Sequence, residues 1–388
     1  MKRIACLLLA LMLYIPTAGA EIIFSHQTEE TPAEVEPAMG DNGSDEGDTV
    51  SSIFFGNTDA PEGESDDAPV QASTGDEGWP RKIVVTVGGD CTLGCTDSQR
   101  GREEGFARVI KEKGYDWPFS ELVKVFAGDD MTLINFEGTL TESTDKLEGK
   151  KFNFKGPAEY AEMLVLGSVE AVNLANNHYG DYSDEGKADT KANLAAYGIT
   201  YNAQGEPTIY ETRGVKIGLI GNTFAYKDGK RDISAHVQEL RDAGCQIVIA
   251  SFHWGSEYEK SYNRDQRNIG RAAVNAGADV IIGHHPHIVQ GIEKYEDTYI
   301  LYSLGNLVFG GNTDPDDRDT YIAQLTFTVY EDGHTDPPEL KIIPMRLTAN
   351  NKGYTDYRPV FAEGEEYDRI LNRILNLSNN MGDFVNPQ

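Results

Sequence analysis

Basic residues are scarce in this chain: 34 Lys and Arg stand against 63 Asp and Glu, a formal net charge of −29 over 388 residues. Nucleic acid and anionic membrane surfaces are bound through Lys and Arg clusters, so nonspecific partners of both kinds are disfavoured, nucleic acid above all. A cation-loaded site, by contrast, sits comfortably in such a chain. Cysteine is scarcer still: Cys6 lies in an N-terminal apolar run, and only Cys91, Cys95 and Cys245 follow it. Three cysteines cannot all pair within one chain, which excludes a disulfide scaffold, and the closeness of Cys91 to Cys95 does not by itself make a bond. There is no Walker A loop, no Gly-x-Ser-x-Gly elbow, no Rossmann glycine fingerprint in a strand-to-helix setting, and no internal repeat.

What is present begins with Met1-Lys2-Arg3, an apolar run over residues 4–15, and Ala18-Gly19-Ala20 before Glu21. That pattern predicts a signal peptide over residues 1–20 with a small-x-small cleavage site, its apolar core too short for a membrane span. The mature protein is therefore expected to be extracytoplasmic, secreted or associated with the cell envelope. Residues 21–80 hold 16 Asp or Glu and no Lys or Arg, among many Gly, Ser, Thr and Pro. Such a segment cannot bury enough apolar surface to offset the entropy of ordering it, and it reads as an acidic disordered linker. The charge divides into +2 for the signal, −16 for the linker and −15 for residues 81–388. This last stretch is long enough for one large α/β domain or two smaller ones.

Within it, apolar strand-like runs repeatedly end in polar residues. Residues 82–87 lead through Gly88-Gly89 to Asp90; residues 131–134 lead to Asn135 and Glu137; residues 171–175 lead to Asn177 and His178. A strand over 246–252 ends in His253, with Glu257 and Tyr258 just beyond, and Val280-Ile281-Ile282-Gly283 opens onto His284, His285 and His287. The carboxyl ends of strands are where α/β folds place their chemistry. Two carboxylates, amides and several imidazoles form the donor mixture of a dinuclear hydrolytic site, and the oxygen and nitrogen set argues against cysteine-rich zinc chemistry. Helices alternate with these strands, and the strands outnumber what one open sheet easily carries, which predicts an α/β fold with two sheets.

Gly89-Asp90, Asn135-Phe136-Glu137-Gly138, Ala175-Asn176-Asn177-His178, His253-Trp254-Gly255-Ser256-Glu257-Tyr258, Gly283-His284-His285-Pro286-His287 and Tyr302-Ser303-Leu304-Gly305-Asn306 together resemble the bacterial capsule-synthesis family of CapA and PgsA, the poly-γ-glutamate synthesis proteins. The resemblance implies a branch of the calcineurin-like metallophosphoesterases, with a four-layer α/β/β/α sandwich. It also implies one or two divalent ions (Mn, Zn, Fe or Mg), with Asp90 on the first ion, Glu137 bridging, Asn177, His253 and His285 on the second, and His287 returning to the first. His178 would be the general acid, Asp90 and Glu257 are further candidates for the catalytic step, and Asn135 is a candidate ligand beside Glu137. Metallophosphoesterases usually carry Asp-x-His at the first strand, whereas this chain reads Asp90-Cys91-Thr92. One imidazole is missing unless Cys91, Asn135 or His284 takes its place. The implied partner is an anionic surface polymer or its precursor, together with membrane-embedded synthesis or export subunits. Two functions follow from the resemblance: a metal-dependent hydrolase of phosphoesterase type, or a non-catalytic assembly or export subunit that keeps the fold.

Overall fold

The computed structural model describes residues 78–223, 229–382 and 384–387, leaving aside the side chains of residues 229–232. The signal over residues 1–20 and the acidic linker up to residue 77 lie outside the described residues.

Two large sheets carry the fold. In the first, strands run in the order Val360–Phe361, Glu339–Arg346, Asp319–Val329, Arg81–Thr92, Met131–Phe136, Ala171–Asn173 and Thr200–Asn202, with Asn306–Phe309 also pairing on Arg81–Thr92. In the second the order is Ile292–Tyr295, Thr298–Leu301, Val280–His284, Ile247–His253, Val215–Thr223 and Thr208–Thr212. The central strands of each are parallel. Their runs of Val, Ile and Leu are buried from end to end, as strands covered on both faces must be.

Side chains alternate across each strand and so sort the layers. Val85, Val87 and Leu133 from the first sheet meet Leu219, Ile249 and Ile282 from the second in one shared core. On the outer face of the first sheet, Ile134 and Val172 pack with Phe106, Ile110, Phe119, Leu164 and Leu194 from its helices. On the outer face of the second, Val248 and Ile281 pack with Val237, Leu240, Ile269 and Ala273. The result is the expected α/β/β/α sandwich. The helix Arg264–Asn275 starts where Asn263 and Gln266 form a reciprocal capping box, satisfying two backbone donors that would otherwise be orphaned. The terminal helix Gly364–Leu377 puts Ile370 and Ile374 into the core between the sheets, and its Arg369 and Arg373 bind the carboxylate of Asp319 at 2.6–2.8 Å.

Two local features position the site. The first is a bulge: Val87 pairs with Leu133, but the next partners are Asp90 and Asn135, so the first strand spends three residues where its neighbour spends two. An extra residue reverses which face each later side chain points to. Asp90 therefore turns inward beside Asn135, while Cys91 turns into the core on the helix side. The second is a crossing. After Thr298–Leu301 the chain leaves the second sheet and enters the first at Asn306–Phe309. Gly305 turns the chain there at φ +80°, and its carbonyl accepts a hydrogen bond from the Asp90 backbone N–H at 3.0 Å. Gly89 lies so close to this turn that a β-carbon on it would sit 2.0 Å from the Gly305 oxygen.

Candidate metal centre

Glu137 stands at the middle of the strand ends. It is fully buried, and neither carboxylate oxygen has a hydrogen-bond partner. Three imidazole Nε2 atoms surround its Oε1: His178 at 3.7 Å, His253 at 3.8 Å and His287 at 3.8 Å. Burial pushes the Glu137 carboxyl up to about 8, with His287 drawing it down and Asp90 adding to the rise. Burial would lower His287 in turn, but Glu137 and Asp90 outweigh it and raise the imidazole to about 10.

Asp90 is the better-held acid. Asn135 Nδ2 donates to its Oδ1 at 2.9 Å, and the His285 backbone N–H donates to Oδ2 at 3.2 Å. Burial would raise its carboxyl, yet the imidazoles of His284 and His287 bring it well below the usual range. Asn135 in turn accepts from Asn173 at 2.9 Å and from Asn176 at 3.4 Å. Both ends of its amide are thus engaged, and its role here is to orient Asp90 rather than to offer an oxygen to an ion.

The imidazoles are oriented from behind. His287 sets Nδ1 2.9 Å from Asn306 Oδ1, which leaves Nε2 facing Glu137. His178 sets Nδ1 2.7 Å from Asp181 Oδ2, and Lys150 reaches the same pair, bonding Asp181 and lying 3.2 Å from His178 Nδ1. Such outer partners fix the ring and its tautomer in metal sites. His253 Nε2 and Asn177 Oδ1 are buried without partners. His285 and His287 hold left-handed backbone angles, φ +96° and +60°. Non-glycine residues rarely adopt such angles, each costing about 1–3 kcal/mol, and they cluster at functional sites.

Two groups of side chains have donors close enough together to hold a metal ion: Asp90, Glu137 and His253, all buried, and Glu257, His285 and His287 at the rim. The chemistry fits a divalent cation. Isolated buried carboxylates are costly unless paired or metal-bound, and Glu137 has imidazoles around it but no hydrogen bond to any of them. Of the expected site residues, Asp90, Glu137 and His253 come together in the buried group, with His178 facing Glu137, and Glu257 lies in the rim group with His285 and His287. Sequence reasoning assigned no role to Asp181, Lys150, Asn173 or Asn306. Asn306 stands in a quoted motif and Asp181 follows His178 by three residues, which were the available signals.

Cys91 departs from one of the roles offered to it. It faces the helix-side core, is buried, and burial raises its thiol well above the usual range, so it supplies no thiolate to the site. Where a second imidazole is usual, Thr92 instead donates its hydroxyl to the Glu137 carbonyl at 2.7 Å. Cys91, Cys95 and Cys245 are all unbonded and buried.

Known proteins resemble this chain. The family model described as bacterial capsule synthesis protein PGA_cap matches residues 84–311. The PGA biosynthesis protein CapA of Bacillus subtilis is 34% identical over 224 residues, covering 52% of this chain and 59% of the relative. The capsule biosynthesis protein CapA of Bacillus anthracis is 27% identical over 255 residues, 59% of this chain and 60% of the relative. A probable polyglutamine synthesis accessory protein of Mycobacterium tuberculosis is 24% identical over 328 residues, 70% of this chain and 86% of the relative. The chain thus spans about three fifths of the length of the two Bacillus relatives. The family match takes in every strand end described above, from Asp90 to Asn306, and the chain belongs to the bacterial capsule synthesis protein family.

Proposed function

We propose that this protein is a divalent-metal-dependent hydrolase that acts in the synthesis of an anionic, poly-γ-glutamate-type surface polymer, cleaving a phosphoester or an amide bond of the polymer or a precursor. The observation that carries the proposal is Glu137: a buried carboxylate without a hydrogen bond, set 3.7–3.8 Å from three imidazoles. Asp90, Glu137, Asn177, His253, His285 and His287 would hold one or two ions of the Mn, Zn, Fe or Mg kind. Bound there, such ions supply Lewis-acid polarisation of the scissile group and an activated water.

The chain's own residues supply the rest. Asp181 accepts the Nδ1 proton of His178, so Nε2 is the atom that exchanges a proton with the substrate. Leaving-group protonation needs the imidazolium, which burial opposes and Asp181 favours. Phe154 covers the His178 ring at 4.5 Å and limits water around it. Glu257 stands at the exposed rim, where it can contribute to binding an ion with His285 and His287. The relatives' names point to polymer synthesis as the setting. Membrane-embedded synthesis or export subunits are the proposed partners. The signal-like pattern of residues 1–20 supports an extracytoplasmic location.

The test pairs metal content with turnover. Purified protein should contain Mn, Zn or Fe, or take up added Mg²⁺ or Mn²⁺. It should also hydrolyse a phosphodiester probe or shorten poly-γ-glutamate. His178→Ala should abolish turnover, while His334→Ala, on an exposed hairpin beside Asp332, should leave it intact. Protein without metal, and without turnover in added Mn²⁺, Zn²⁺ or Mg²⁺, would sink the hydrolase and leave the assembly-subunit function standing.

A further inference from the structure

The first strand lacks the imidazole that its acid usually has two residues on, and the geometry points to His284 as its replacement. We infer that His284 is a direct ligand, through Nδ1, of the ion that Asp90 holds; the inference rests on the metal-dependent reading above and adds a residue to it.

Three residues could have filled the gap, and two are occupied elsewhere. Cys91 points into the helix-side core because of the bulge between Val87 and Asp90. Asn135 donates its amide N–H to Asp90 and accepts from Asn173 and Asn176 with its oxygen. Only His284 remains, and it is 2% exposed.

Its position follows from the second sheet. His284 lies opposite His253 in the parallel register of their strands, so the two side chains leave the sheet on the same face. His284 Nδ1 is buried with no hydrogen-bond partner, and it stands 3.4 Å from Asp90 Oδ1. Two donors that each lie about 2.1 Å from one tetrahedral ion are separated by about 3.4 Å. The spacing between His284 and Asp90 is therefore that of two ligands sharing an ion. The spacing recurs between Asp90 Oδ2 and His287 Nδ1 at 3.2 Å, but there Nδ1 already has Asn306 for a partner. His284 has none. A buried imidazole nitrogen left in this way loses its hydration with nothing in return unless something else occupies its lone pair.

The pair His284 and His285 then has a division of labour. His284, still on the strand, reaches toward Asp90. His285, one residue later and at φ +96°, turns to the rim with Glu257. A strand alone would send consecutive side chains to opposite faces, and the positive φ is what brings both to one cleft.

The full chain, stripped with chelator and reloaded with Zn²⁺, tests this by zinc content after gel filtration. Wild type is expected to retain two zinc ions, His284→Asn one, and His285→Asn, as the control in the rim group, one. His284→Asn that retains two zincs overturns the inference while the metal-dependent reading stands. Wild type that retains none overturns that reading itself. Outer partners of metal ligands change affinity 10–100-fold without removing a site, so His284→Asn with two zincs of weakened affinity also overturns it. If His284→Asn fails to fold, ¹⁵N-histidine NMR of the wild type replaces it. Zinc must then move a fourth imidazole signal, assigned through His253→Asn, His285→Asn and His287→Asn, into the metal-bound range. Movement of only those three overturns the inference.

Discussion

Glu137→Gln should make the metal-free protein more stable and the metal-loaded protein less so. The wild-type carboxylate is buried without a hydrogen bond, and a carboxylate in that state costs several kcal/mol unless neighbours compensate it. Its pKa is raised in the folded protein to about 8 from an ordinary 4.5. Between those values the unfolded chain has released this proton while the folded chain retains it. Wild-type stability from this group is therefore unaffected below pH 4.5, falls as pH rises toward 8, and levels off above it, at a slope of at most about 1.4 kcal/mol per pH unit. The full window would sum to several kcal/mol, but the His287 imidazole 3.8 Å away, itself raised by Glu137 and Asp90 against burial, offsets much of it. A net gain of about 1–3 kcal/mol for chelator-treated Glu137→Gln at pH 8 is the expectation. At about 2–4 °C per kcal/mol for a domain of this size, that is a rise in Tm of several degrees. Metal should reverse the order. A ligand at one hundred times its Kd stabilises wild type by about 2.7 kcal/mol, and the variant, without the Glu137 carboxylate, should lose most of that. Thermal melts at pH 5, 6.5 and 8, with chelator and with Zn²⁺ or Mn²⁺, read all of these quantities. A variant that melts below wild type in chelator at pH 8, and still gains the full shift from metal, would refute the reasoning.

Asp181→Asn should lower phosphodiester turnover, by up to the about 10²–10⁴-fold expected for removing a general acid outright, because it removes the carboxylate that favours the imidazolium and leaves the Lys150 ammonium, 3.2 Å from His178 Nδ1, to oppose it; an unchanged kcat would remove Asp181 from the mechanism. Gly89→Ala should cost more than about 3 kcal/mol in urea unfolding, since its β-carbon would lie 2.0 Å from the Gly305 carbonyl oxygen and neither backbone can yield cheaply. Asp319→Asn should cost about 1–3 kcal/mol by removing the anchor of Arg369 and Arg373 on the terminal helix. Burial raises the Asp319 carboxyl, but the two arginines outweigh it and hold it below 3.8. That stabilisation is therefore fully present above pH 3.8 and is lost as pH falls through the lowered value, a loss the variant should not show in acid titrations followed by circular dichroism.

The strand ends were legible because candidate residues close or follow runs of β-branched or apolar residues, as Glu137 follows Met131–Phe136 and His253 closes Ile247–His253. The two-sheet sandwich followed from the same runs. The orientation of side chains after Gly88-Gly89 was not legible, since two glycines announce a turn as readily as a bulge. Cys91 and Asn135 therefore stayed candidates for the site until the register excluded the one and the hydrogen bonds engaged the other. Residues 302–305 hid their crossing because Tyr, Ser, Leu and Gly suit a strand end in either sheet. The helix Phe106–Lys113 escaped notice for a related reason: it has eight residues, no acid in its first turn and a glycine without a capping side chain before it. Lys150 lies in a loop without period, and only the folded chain brings it to Asp181 and His178.

The bulge has a wider implication for what this scaffold could bind. Beyond Val87 the alternation of the first strand is displaced by a single residue, and that displacement presents an oxygen donor, Asp90, where an unbroken strand would present the sulfur of Cys91. Hard and soft metal chemistry thus lie one residue of register apart at this position. Closing the bulge without changing the chain length would exchange the two, and the preference of the centre would move from the cations that favour carboxylates toward those that favour thiolates.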